Sequence, residues 1–265
     1  MYDERKYTWG KYLLFAAGDI ESIRRILEPK HIAADDAVTP GGETAAMWAA
    51  DNGNVEAMRV LLSYGANPLL PHSASQGMTP LHFAAANGRA GVLRVLLEAA
   101  GPSNVDARME NGNTPLMLAS RRGDIDAARV LLSRGANVNA QREDGASALL
   151  LASRENHRDV IQLLCDHGAR VNDTMPKSGV NALIAAVRHD FAQATRELLL
   201  QGADAAHRTR DGRTALIVAA QHHAIRCAPL LIDAGVPVNE FMVRVNALSS
   251  CNTGSLRLHS SASGT

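Results

Sequence analysis

The chain has 265 residues, 46% apolar and only 4% aromatic, and its 27 Lys and Arg are balanced by 27 Asp and Glu. A neutral balance argues against nonspecific nucleic-acid binding, which needs a strongly basic surface, and no apolar run approaches the roughly 20 residues of a membrane span. Cys165, Cys227 and Cys251 are odd in number and irregularly spaced, which fits reduced thiols in a cytoplasmic protein rather than a disulfide frame.

Met1 to Gly10 mixes Asp3, Glu4, Arg5 and Lys6 with no apolar core after them, so it does not read as a secretory signal. Tyr12 to Glu28, with Leu13-Leu14-Phe15 and Ile26-Leu27, is predicted as an atypical opening unit whose Lys11, Glu21, Arg24 and Arg25 face solvent. Then a phrase recurs, complete as Thr79-Pro80-Leu81-His82-Phe83-Ala84 and echoed from Thr44, Thr114, Ser147, Asn181 and Thr214. The steps between these anchors are 35, 35, 33, 34 and 33 residues.

Each anchor is a Thr, Ser or Asn, able to accept a hydrogen bond from a free N–H at a helix start. Pro80 and Pro115 follow two of them, at the first helical position, where a missing N–H costs nothing. The first helix of each unit carries small residues, from Ala49-Ala50 to Ala219-Ala220, that let neighbouring helices approach closely. It ends at Gly53, Gly88, Gly123, Asn156, Asp190 and His223 in turn, residue types that reach the left-handed region most readily. Apolar runs follow at Val60-Leu61-Leu62, Val95-Leu96-Leu97, Val130-Leu131-Leu132, Leu163-Leu164-Cys165, Leu198-Leu199 and Leu230-Leu231-Ile232, predicting a second, buried helix. Gly65, Gly135, Gly168, Gly202 and Gly235 close it. Longer turns are predicted at Leu69 to Gln76 and Thr174 to Ser178. Copy quality falls late: Glu197 takes an apolar slot, and Pro229 inside a second helix should cost roughly 3 kcal/mol, so the units around 181 to 240 are expected to open first. Val245-Asn246-Ala247-Leu248 starts another copy, and the Ser-rich stretch from Ser260 to Thr265 is expected to be disordered.

The phrase and its period resemble the ankyrin repeat, whose signature they are. The resemblance implies an all-α solenoid of stacked helix-turn-helix units joined by β-turn loops, about seven counting partial ends. It covers an opening unit in residues 1–40, six recognisable repeats in 41–240, and a partial repeat and tail in 241–265. It also implies that Asn139 and Asn172 occupy positions that can be asparaginyl-hydroxylated.

Little in the chain supports catalysis. The sequence has no G-x-S-x-G elbow, Walker loop or H-E-x-x-H, so no enzyme activity, catalytic residue, cofactor or metal site is expected. His222-His223 followed by Cys227 lacks a second cluster to complete four ligands, and Asn172-Asp173-Thr174 matches a glycosylation sequon without a signal peptide to make it meaningful. Trp48, Phe83, Leu118 and Leu151 recur at one repeat position and are expected to pack in the core. In the resembled family, partners meet the turn tips and the exposed end of the first helix. Here those ends begin acidic or neutral, with Asp51-Asn52 and Ala86-Asn87, and become basic at Arg121-Arg122, Arg154-Glu155 and Arg188-His189. Arg121, Arg122, Arg154, Arg188, His189, Arg210 and Arg213 are the candidate partner-binding residues, with Arg134 and Lys177 adding charge nearby. The expectation is a monomeric cytoplasmic scaffold or adaptor whose basic central patch binds an acidic protein partner. An assembly chaperone or inhibitor that masks a partner surface, or the regulatory portion of a larger enzyme, are the alternatives.

Overall fold

The computed structural model describes residues 20–28, 33–37, 39, 41–101 and 104–236. Helix α1 (Ile20–Leu27) comes first, followed by six helix pairs: α2 (Ala45–Asn52) with α3 (Val55–Ser63), α4 (Pro80–Ala86) with α5 (Ala90–Ala100), α6 (Pro115–Arg122) with α7 (Ile125–Ser133), α8 (Ala148–Arg154) with α9 (Arg158–Asp166), α10 (Ala182–Arg188) with α11 (Ala192–Leu200), and α12 (Ala215–Gln221) with α13 (Cys227–Asp233). Among the described residues there is no β-strand, only isolated bridges at the loop bases, such as His72 with Met78 and Thr174 with Asn181. The first helices α2, α4, α6, α8, α10 and α12 pack in one row. The second helices α3 to α13 pack in another, and α1 lies against α3 in that same row.

Helix starts follow the anchor chemistry. The side-chain oxygens of Thr44, Thr114, Ser147, Asn181 and Thr214 accept the N–H of Met47, Met117, Leu150, Ile184 and Ile217 at 2.9–3.4 Å. At Thr79 the direction reverses: its backbone N–H donates to His82 Nδ1 at 3.2 Å, and Nε2 reaches the Ala107 carbonyl at 3.0 Å. All six residues ending the first helices have positive φ, from +54° at Asp190 to +83° at Gly123. The alanine and serine pairs of the first five such helices are buried, and Ala220 of the last described pair is exposed. One apolar cluster runs from Ile23 to Val236 through both rows.

Side chains also tie each unit to the next. Oxygens of Asp35, Asp106, Asn139 and Asn172 accept the backbone N–H of Asn67, Asn137, Arg170 and Asp204, at 2.8–3.1 Å. Asn139 and Asn172 also donate to the carbonyls of Gly168 and Gly202.

Pro229 lies in the first turn of α13, yet the Ala228 N–H already bonds the Ala224 carbonyl at 3.1 Å and Arg226 is helical, so the bond its missing N–H removes is the one to the Ile225 carbonyl. Two expectations are corrected by the geometry, beginning with α13. That short helix buries Leu231 but leaves Ile232 46% exposed. The recurring apolar position is core only in part: Leu118 and Leu151 are buried, Phe83 is half-buried, and Trp48 is 37% exposed. Glu197 is indeed buried in the apolar row, and its carboxylate is satisfied there by Arg158 Nε at 3.1 Å and Gln201 Nε2 at 3.0 Å. Residues 1–19, the Val245-Leu248 copy, the 241–265 tail and Cys251 lie outside the described residues.

Candidate partner-binding surface

The C-terminal ends of the first helices form the row where the candidate cations sit. Arg121 and Arg122 end α6, Arg154 ends α8 and Arg188 ends α10, and these helices pack consecutively. Arg121, Arg154 and Arg188 are exposed, and among the described residues none of them is in an ion pair. The backbone of Arg121 is held by the next unit, because the His157 ring bonds its carbonyl at 3.0 Å. The fit is close: a Cβ on Gly123, already at φ +83°, would come within 2.3 Å of His157 Nδ1.

The other candidates divide. Arg122 turns back and donates to the Ala86 carbonyl of the preceding unit at 3.4 Å. Arg213 is bridged to Asp211 and donates to Gln221 Oε1 at 3.2 Å, and Arg134 is paired with Glu98 at 3.1 Å. Arg213, then Thr209, hold the Asp211 carboxyl down to about 2. Each of these three arginines therefore has a partner within the chain, although Arg122 stays exposed. His189 is exposed and stacks on Phe191, with ring centroids 5.5 Å apart, and Arg210 is exposed on its loop. His222 registers the local positive field: desolvation first, then the charges of Arg188, His189, Arg213 and His223, hold its pKa below the usual histidine value.

The opposite end of the row is acidic and aromatic. Trp48 Nε1 donates to Glu43 Oε2 at 3.4 Å, and Asn87 Nδ2 donates to Asp51 Oδ1 at 2.7 Å. Sequence reasoning passed over Glu43 and placed Trp48 in the core. The available signal was the size of an indole at a position where two later repeats use leucine.

Elsewhere, chemistry is sparse among the described residues. No three His, Cys, Asp or Glu side chains gather as a metal site, and no helix is long and apolar enough to cross a membrane. Cys165 and Cys227 are free, and burial pushes both thiols up to about 11. Cys227 is fully buried against Thr195, with Sγ 3.3 Å from its hydroxyl, while His223 is the turn residue before it.

A helix-pair array with capped first helices, left-handed turns and inter-unit side-chain ties defines a class of repeat protein. The family model described as ankyrin repeats matches three times, at residues 12–108, 100–175 and 172–242, and the chain belongs to that family. Among solved structures it is similar to the ankyrin repeat domain of Bcl-3, described as a unique member of the IkappaB protein family. That likeness has 28% identity and a TM-score of 0.69, and covers 81% of this chain and 97% of that one. No curated protein matches the chain. Ankyrin repeats are protein-interaction modules, so the coarse role of the chain is binding to a protein partner.

Proposed function

We propose that this chain is a non-enzymatic scaffold or adaptor, monomeric and cytoplasmic, that presents its row of first-helix ends to an acidic peptide or protein surface. The observation that carries the reading is the set of three exposed arginines, Arg121, Arg154 and Arg188, on consecutive packed helices, none of them in an ion pair among the described residues. Nothing in the repeat requires arginine there, since α2 and α4 end in Asp51-Asn52 and Ala86-Asn87 at the same place. Arginine suits the role because its planar fork meets carboxylates in bidentate fashion. His189 and Arg210 extend the patch, while Arg122 and Arg213 serve the fold. A packed array lets partners bind with little rearrangement of the scaffold.

The test is charge reversal. A variant carrying Arg121→Glu, Arg154→Glu and Arg188→Glu should lose partners that the wild-type chain captures, whereas Arg122→Gln should keep them. If the triple variant captures every partner at wild-type yield, the patch is not the binding surface.

A further inference from the structure

The first-helix row ends, beyond α4, in a pocket unlike the arginine stretch. The wall residues are Trp48 and Phe83, the buried Met47, and the carboxylates of Glu43 and Asp51. Trp48 stands at the position where Leu118 and Leu151 are buried, yet the residue is 37% exposed. Its Nε1 bond to Glu43 fixes the ring beside one acid, and the second acid is oriented by Asn87. Among the described residues neither carboxylate is in an ion pair.

Two solvated acids alone would be an ordinary surface. The open indole makes the difference, because aromatic faces attract cations through the ring quadrupole, and here that attraction and two carboxylates act on the same space, with the Arg89 guanidinium held aside at the Asp51 backbone carbonyl at 2.9 Å. The thioether and phenyl walls suit the methylene stem that lysine and arginine carry below the charge.

We propose that Glu43, Trp48, Asp51 and Phe83 form a subsite for one Lys or Arg side chain of an extended partner segment. The inference rests on the arginine-patch reading for the rest of that segment, and the two together give a spacing. From α2 to α8 there are three helix-to-helix steps of about 8–10 Å, or about 24–30 Å in all. At about 3.3–3.6 Å per extended residue, the partner carries its cation about eight positions from its acidic stretch. The groove is therefore polar end to end, and it fixes the direction in which a segment lies.

The subsite is tested first on its own. The Trp48 indole N–H resonance of the labelled protein is followed while acetyl-Gly-Lys-Gly-amide, or the same peptide with Gln for Lys, is added at millimolar concentration. The lysine peptide should shift that resonance and the glutamine peptide should not. The double variant Glu43→Gln with Asp51→Asn, which keeps both oxygen acceptors, should abolish the response. Equal shifts from both peptides, no shift from either, or an undiminished response in the double variant would overturn the proposal.

A longer Gly/Ser-spaced probe, with one Lys and three Glu about eight residues on, then separates the two readings. Trp48→Leu should weaken its binding about three- to tenfold, and replacing the probe's Lys should add nothing further in that variant. Arg154→Glu should act only through the glutamates. A silent Arg154→Glu beside an intact lysine response would sink the arginine patch and leave the subsite standing. The converse result would sink the subsite.

Discussion

Asn181 caps α10 through Oδ1, but its amide nitrogen is buried with no hydrogen-bond partner among the described residues. An orphaned buried donor costs about 1–3 kcal/mol, and threonine, whose side chain caps three of the other first helices, has no such group. Asn181→Thr should therefore raise stability by about 1 kcal/mol, after losses from the smaller side chain, and urea unfolding at neutral pH measures it. His82 acts in the opposite sense. Its Nδ1 accepts from the Thr79 N–H, so Nε2 carries the proton and donates to the Ala107 carbonyl. Burial is the main cause of a pKa lowered from 6.5 to about 4, partly opposed by backbone hydrogen bonds. Above pH 6.5 the ring is neutral in both folded and unfolded chains. As pH falls from there toward 4 the unfolded state takes up the proton first, and stability drops, by roughly 3 kcal/mol at most from this residue. Melts at pH 7 and pH 5 should show the loss, and His82→Gln should remove much of it.

At the scale of elements, what was legible in the sequence was what local chemistry decides. A Thr, Ser or Asn accepting an N–H three residues on is a short-range event, so five of the six first-helix starts from Thr44 to Thr214 could be read on that ground, and Thr79 bonds His82 instead. The turn residues were equally plain, because Asn156, Asp190 and His223 stand where Gly53, Gly88 and Gly123 do. Where a property depends on register or neighbours, the text ran out. The exposure of Ile232 depends on how short α13 is, and the exposure of Trp48 depends on what α4 offers across the row. The engagement of Arg122 with Ala86, and of Arg213 with Asp211, could not be told from the freedom of Arg154, because arginines look alike until partners come within reach. Helix α13 is thinly packed: it has 7 residues against 9 in α11, and Ile225 before it and Ile232 within it are exposed. Local opening tracks such thin packing. Amide exchange should therefore be fastest in α12 and α13 and slowest in α6 to α9, and a reversed order would contradict the packing.

For the whole molecule, equal numbers of acids and bases conceal an uneven arrangement, with carboxylates and an indole toward α2 and the exposed Arg121, Arg154 and Arg188 at the ends of α6, α8 and α10. Exposed charges are screened within about 8–10 Å at ordinary ionic strength. Binding through the arginine patch should therefore weaken as salt rises from low to physiological levels, with the triple Glu variant showing no such slope. A partner whose affinity ignores salt would point to another surface. The bonds from Asp35, Asp106, Asn139 and Asn172 reach only the adjoining unit. Under tension applied at its two ends, such a chain behaves as springs in series: compliance adds with every unit, and rupture proceeds in small successive steps from the softer terminus. A partner seated across several first helices would bridge those springs and stiffen the array.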